Sequence, residues 1–126
     1  MLLLGPPGAG KSDMVLRLMD HGFVLVADDR VEIFDGFASP PGGLGGLLEV
    51  RGLGILRLPY VAEARLCLAV SLAPGADRLP RPGRHEATDL PLLTVDPSHA
   101  SAARVVAMAL DCALGDIAQV AGAFTR

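Results

Sequence analysis

Eight residues near the start of the chain, Gly5-Pro6-Pro7-Gly8-Ala9-Gly10-Lys11-Ser12, bring together glycines, a lysine and a hydroxyl in the spacing G-x-x-x-x-G-K-[ST]. That set can hold phosphate. Glycines let the backbone curl until successive N–H groups point into one concavity, where phosphate oxygens fit. Lys11 supplies a compact charge for the β- and γ-phosphates, and Ser12 offers a hydroxyl to Mg²⁺. Lys11 is the only lysine in the chain, and the other cationic side chains are arginines. A planar guanidinium does not replace a compact ammonium at such a loop.

A phosphate loop binds nucleotide without choosing a reaction, so the acids matter next. Asp28-Asp29 follows an apolar run about one helix after Lys11. One carboxylate can hold Mg²⁺ through water, and the other can accept a proton from a hydroxyl. The same dipeptide also suits a solvated turn between strands. Glu49 could be a further Mg²⁺ ligand and Arg51 could meet a phosphate. An exposed ion pair on one strand face explains those two equally simply. Arg78, Arg81 and Arg84 lie in a proline-rich loop, where they can reach a phosphate or simply be solvated. His21, His85 and His99 show no metal-ligand spacing, and no Ser/His/Asp arrangement is readable.

The elements that must position these groups follow from pattern. Met1–Leu4 predicts a short buried strand, and Val15, Leu18 and Met19, with Met14 beside them, predict a helix from Lys11 to His21. Gly22 suits the left-handed residue that ends it. Phe23–Ala27 predicts a central buried strand ending at Asp28. Val31 and Ile33 predict a strand with one wet face, closed by an Asp35-Gly36 turn. Residues 38–46 read as loop. Residues 47–55 place Glu49 and Arg51 on one face if extended, with Gly52 and Gly54 where backbone must come close to something. Arg65–Ala73 and Leu92–Val95 predict strands, separated by a loop from Pro74 to Arg84. Asp96-Pro97 suits the start of a helix whose face carries Ala102, Val105, Val106, Ala109, Leu110 and Ala113, and which Gly115 closes. A short helix over 116–123 completes the expectation.

Composition narrows the classes. With 126 residues and 51% apolar side chains the chain is long enough for one domain with a core. A formal net charge of −3 and the lack of tryptophan argue against nucleic-acid binding. No run is long enough to span a membrane, and the N-terminus does not have the form of a signal peptide. Cys67 and Cys112 each sit in an apolar run and are expected to be buried free thiols of a cytoplasmic protein.

Three motifs together resemble the catalytic domain of the bacterial HPr kinase/phosphorylase family: the loop GPPGAGKSD, then VLVADDRVEI, then LLEVRGLGIL, which looks like that family's own identifying stretch. PRPGR, residues 80–84, resembles its mobile loop. The resemblance covers residues 1–84, and the tail more weakly, and looks like the short proteobacterial form. It implies an α/β phosphate-loop (Walker A) kinase domain over residues 1–126, related to phosphoenolpyruvate carboxykinase, with a mixed sheet and flanking helices. The implied enzyme uses ATP and Mg²⁺ to phosphorylate a serine of HPr, a phosphocarrier of the sugar phosphotransferase system, and removes that phosphate by phosphorolysis. By position, Gly5, Gly8, Ala9, Gly10, Lys11 and Ser12 hold nucleotide. Ser12, Asp29 and Glu49 lie around Mg²⁺, and Asp28, Arg51 and Arg84 are catalytic. Asp28 is the base in the forward direction, and Arg84 acts in phosphate removal. A homo-oligomer is expected. Family members have a strand and a histidine before the loop, and many also carry an N-terminal domain, all of which this chain is expected to lack. Pro6 and Pro7 stand where small polar residues are usual, and each removes an N–H. A small-molecule kinase or ATPase and a nucleotide-binding sensor are the alternatives. The ATPase fits less well because the strand candidate Leu66–Leu72 ends without an acid.

Overall fold

The computed structural model describes residues 1–125. The chain divides into two compact units, Met1–Lys11 with Cys67–Arg126, and Ser12–Leu66.

The first unit is built on a four-stranded mixed sheet. β1 (Leu2–Leu4) pairs in parallel with β7 (Ala69–Leu72), β7 in parallel with β9 (Leu90–Val95), and β8 (Arg84–His85) closes the edge antiparallel to β9. β7 is an interior strand with β1 and β9 on either side, which favours apolar residues on both faces. Ala69, Val70 and Leu72 are accordingly buried, as is Leu68 just before the strand, and Ser71 is half-buried. Helix α2 (Ala102–Ala113) packs on β9 through a stripe of small side chains, with Ala102, Ala103, Val106 and Ala109 buried. Gly115 adopts a left-handed φ of 82° just past its end, as the sequence predicts.

Two expectations in this unit are corrected. Asp96-Pro97 does not start the helix. The Asp96 carboxylate accepts the Ser98 N–H at 2.9 Å and the Ser98 hydroxyl at 2.7 Å, a local turn that competes with helix, and α2 begins only after Ser101. Residues 116–123 form turns rather than a helix. There the Gln119 side-chain oxygen takes the Phe124 N–H, and Gly122 turns at φ 128°. Arg65–Ala73 also splits, into β6 (Ala64–Arg65) and β7, and β6 belongs to the other unit.

The second unit holds most of α1 (Lys11–Met19), a three-stranded antiparallel sheet and a hairpin. α1 buries Met14 and Leu18, an i,i+4 pair, and Gly22 follows at φ 85°. β2 (Glu32–Phe34) and β3 (Phe37–Ser39) are joined through Asp35 and Gly36, at φ 52° and 80°, the left-handed pair that a two-residue hairpin turn requires. β3 then pairs with β6. The expected loop over 38–46 thus starts later, after Ser39, and β2 is exposed at every residue rather than on one face. β4 (Leu47–Val50) and β5 (Gly54–Arg57) form the separate hairpin.

The expected central strand over Phe23–Ala27 is absent. Its single ladder contact is a parallel bridge between Leu25 and Tyr60, and Val24 is 57% exposed. An apolar run becomes a strand only where a partner runs beside it. The sheet neighbour of β1 is β7, from far along the chain, rather than this segment. Cys67 and Cys112 form no disulfide with one another, as expected, and each is half-buried rather than buried. Among the described residues no helix is long and apolar enough to cross a membrane.

Candidate active site

The loop between β1 and α1 takes the shape its glycines predict. Gly8 and Gly10 lie at φ 82° and 98°, where a side chain is strained. Gly5 is needed for a different reason: a Cβ there would stand 2.8 Å from the Ala9 Cβ, inside the turn that the Ala9 N–H closes on the Pro6 carbonyl at 3.1 Å. Pro97 lines the other side of Gly10. The Lys11 ammonium reaches back along the loop and donates to the Gly5 carbonyl at 2.8 Å. That bond holds the charge on the loop by one neutral acceptor, which phosphate oxygens can outbid.

The second unit begins at Ser12 and gathers the acids around one group, the half-buried Asp28 carboxylate. The Ser12 hydroxyl lies 3.0 and 3.1 Å from its two oxygens and donates to it. The Asp29 N–H donates to Oδ1 at 3.1 Å, and the Glu49 N–H approaches Oδ2 at 3.4 Å. Asp29 has φ 62°, a left-handed conformation that aspartate tolerates better than most residues and that turns its amide back onto Asp28. Ser12, Asp28, Asp29 and Glu49, distant in sequence, are therefore neighbours. Glu49 joins them through its backbone, and its side chain is exposed.

Arg51 and Arg84 are the remaining predicted residues. Arg51 is in the exposed turn between β4 and β5, with Gly52 at φ 85°, so it does not share a strand face with Glu49. Arg84 is the first residue of β8 rather than part of a free loop. Its Nη1 donates to the Asp89 carbonyl at 2.8 Å, and its Nε lies 3.6 Å from the Asp89 carboxylate.

The oxygen set suits magnesium. That ion takes hard oxygen donors, usually one or two from protein with water and substrate phosphate completing the shell. Among the described residues no three His, Cys, Asp or Glu side chains gather into a metal-holding group. A hydroxyl beside a carboxylate is the sparser arrangement that magnesium accepts.

Residues 1–62 match the family model of the HPr Serine kinase C-terminal domain. That stretch is similar to this family over just under half of the chain. The HPr kinase resemblance thus holds over the stretch that carries the loop, the acid pair and LLEVRGLGIL. Among curated relatives, the HPr kinase/phosphorylase of Neisseria meningitidis is 43% identical over 68 residues, 48% of this chain and 21% of its own length. That of Clostridium novyi is 46% identical over 63 residues, 47% of this chain and 20% of its own. The chain spans about a fifth of the length of the curated relatives it matches. The solved Hpr(Ser) kinase/phosphatase of Coxiella burnetii superposes with a TM-score of 0.66 at 21% identity, over 90% of this chain and 82% of that one. The HPr kinase fold therefore extends well past the matching sequence, as an α/β fold with a mixed sheet.

One feature of the site escapes the sequence: the left-handed backbone of Asp29, for which the only signal is the doubled aspartate.

Proposed function

We propose that this chain is an ATP-dependent protein-serine kinase acting on HPr, and that it also removes the phosphate by phosphorolysis. The observation that carries this reading is the hydrogen bond between Ser12, the last residue of the phosphate loop motif, and Asp28. A phosphate-loop hydroxyl is thereby joined to a carboxylate able to take a proton from an incoming serine.

In the forward direction the Gly5–Ser12 segment acts as a phosphate loop: its backbone N–H groups and the Lys11 ammonium hold the β- and γ-phosphates. Ser12, Asp29 and Glu49 are the residues that would hold Mg²⁺, which would supply neutralising charge for the transferred phosphoryl group. Asp28 accepts the proton of the HPr serine as its oxygen bonds to the γ-phosphorus and ADP departs. In reverse, inorganic phosphate attacks the phosphoserine, Asp28 returns the proton to the serine oxygen, and pyrophosphate leaves. Arg51 and Arg84 are assigned to phosphate contacts in these steps, Arg84 chiefly in removal. The full reading includes one catalytic domain of the kind related to phosphoenolpyruvate carboxykinase, a cytoplasmic location and a homo-oligomer.

Incubation with γ-labelled ATP, Mg²⁺ and purified HPr tests it. Label on an HPr serine is expected. Free phosphate without labelled HPr would make the chain an ATPase, and nucleotide binding without turnover would make it a sensor. Either outcome overturns the proposal.

A further inference from the structure

We infer that Tyr60 is a positioning residue for the acid cluster, a role that rests on the reaction proposed above. Tyr60 follows β5 and touches two separate segments of the second unit. On one side its backbone forms the parallel bridge to Leu25, and the next residue, Val61, donates its N–H to the Leu25 carbonyl at 2.9 Å. On the other side its ring packs against Gly45 and Gly46. A Cβ on Gly45 would clash with the ring at Cε2 and Cζ, and one on Gly46 would meet both the ring and the Leu58 carbonyl. Both glycines are buried although they carry no side chain, because the ring covers them.

The two segments lead directly to the acids. Asp28 is three residues beyond Leu25, and Glu49 is three residues beyond Gly46. Neighbouring bonds fix the second segment: the Leu58 N–H donates to the Gly46 carbonyl at 2.7 Å and the Arg57 guanidinium to the Gly45 carbonyl at 2.9 Å. The segment before Asp28 is held by the Leu25–Tyr60 bridge, by the Val61 N–H bond to Leu25 and, at its start, by the Phe23 N–H bond to the Leu18 carbonyl at 3.3 Å. The Glu49 N–H must meet the Asp28 carboxylate, and that approach is already long at 3.4 Å. Tyr60 is thus the common anchor of two strands of chain that have to arrive in register. Glycine at 45 follows from the same geometry: Gly45 is not at positive φ, so only the ring demands it.

The test compares Tyr60→Ala and Tyr60→Phe with the parent chain. Two readouts are taken: the amide NMR signals of Asp29 and Glu49, and steady-state phosphorylation of HPr. Tyr60→Ala should shift both amide signals, because both donate to the Asp28 carboxylate, and leave the β7 amides in place. It should lower kcat about 10- to 100-fold, the range that a misplacement of about 1 Å produces, with KM for ATP within about twofold. Tyr60→Phe keeps the ring and should restore both readouts. Unmoved Asp29 and Glu49 amides in Tyr60→Ala would overturn the inference. So would shifts spread equally over β7, which would make Tyr60 a general stabiliser. Should Tyr60→Ala not fold, Gly45→Ala decides: it pushes a methyl under an intact ring, and selective shifts at Asp29 and Glu49 support the inference while their absence overturns it. If the parent chain does not phosphorylate HPr, the reaction proposal fails, and the amide readout still decides the placement of Tyr60.

Discussion

The Ser12 hydroxyl sits almost equidistant from the two oxygens of Asp28, at 3.0 and 3.1 Å, so the end of the phosphate-loop motif and the first acid share one proton. Sixteen residues separate them. The relation makes Asp28 answer to two demands, orienting a hydroxyl and accepting a proton, and its replacement separates them. Asp28→Asn keeps an oxygen for Ser12 and removes the basic one. Transfer to serine should fall by about 10²–10⁴, the contribution of a placed general base, while binding of an ATP analogue persists. Near-normal transfer in single-turnover assays would move the base to Asp29.

Lys11 has one bond along the loop, to the Gly5 carbonyl, and no other lysine exists to take its place. Lys11→Ala should weaken binding of an ATP analogue sharply, and Lys11→Arg should not restore it, because the fork of a guanidinium does not fit a site for a compact ammonium. Calorimetric titration checks both. Equal affinities would remove Gly5–Ser12 from nucleotide binding.

Arg84 is 61% exposed in its side chain and its partner Asp89 is 85% exposed. Such pairs contribute about 0–1 kcal/mol, so Arg84→Ala should leave thermal unfolding nearly unchanged. Phosphate removal from phospho-HPr should nevertheless fall more than phosphate addition. Equal losses in both directions, or a large drop in melting temperature, would reduce Arg84 to a strand-edge support.

Asp96 provides a pH-dependent signature of the first unit. Hydrogen bonds from the Ser98 hydroxyl and amide, then from the Gly75 amide, hold its carboxyl below the ordinary value of 3.8, with His99 adding a smaller pull. A carboxylate with a depressed folded pKa stabilises the fold above its unfolded pKa and loses that contribution as pH falls through the folded value. Asp96→Ala should therefore unfold earlier than the parent in urea at neutral pH, and the gap should close below about pH 4. A gap that persists in acid would mean that packing rather than charge carries the effect.

The parts of the fold legible in the sequence are those that local chemistry decides. Gly22 and Gly115 end helices because left-handed backbone is cheap for glycine, and Asp35-Gly36 turns the β2–β3 hairpin for the same reason. The left-handed turns at Gly8 and Gly10 were legible through the motif's spacing, and Asp28-Asp29 stood out as paired acids before any family resemblance. What failed was decided by partners. Phe23–Ala27 and Ala69–Leu72 are both short apolar runs, and only the second has strands on both sides. Asp96 could cap a helix or fold onto Ser98, and propensity does not choose between them. The role of Glu49 was visible as a carboxylate, yet its contact to Asp28 is made by its amide, which every residue type carries.

The pairing of β1 with β7 has a consequence for the order in which the chain can fold as it is made. β1 leaves the ribosome well before its partner, which follows only after the whole of residues 12–66. Until then Leu2, Leu3 and Leu4 are an apolar strand without a ladder, the kind of segment on which nascent chains associate. Closing so long a loop is also entropically costly while its interior is unfolded. Early folding of the inserted unit removes much of that freedom, so substitutions confined to residues 12–66 can lower the yield of native protein by delaying a sheet to which they contribute no strand.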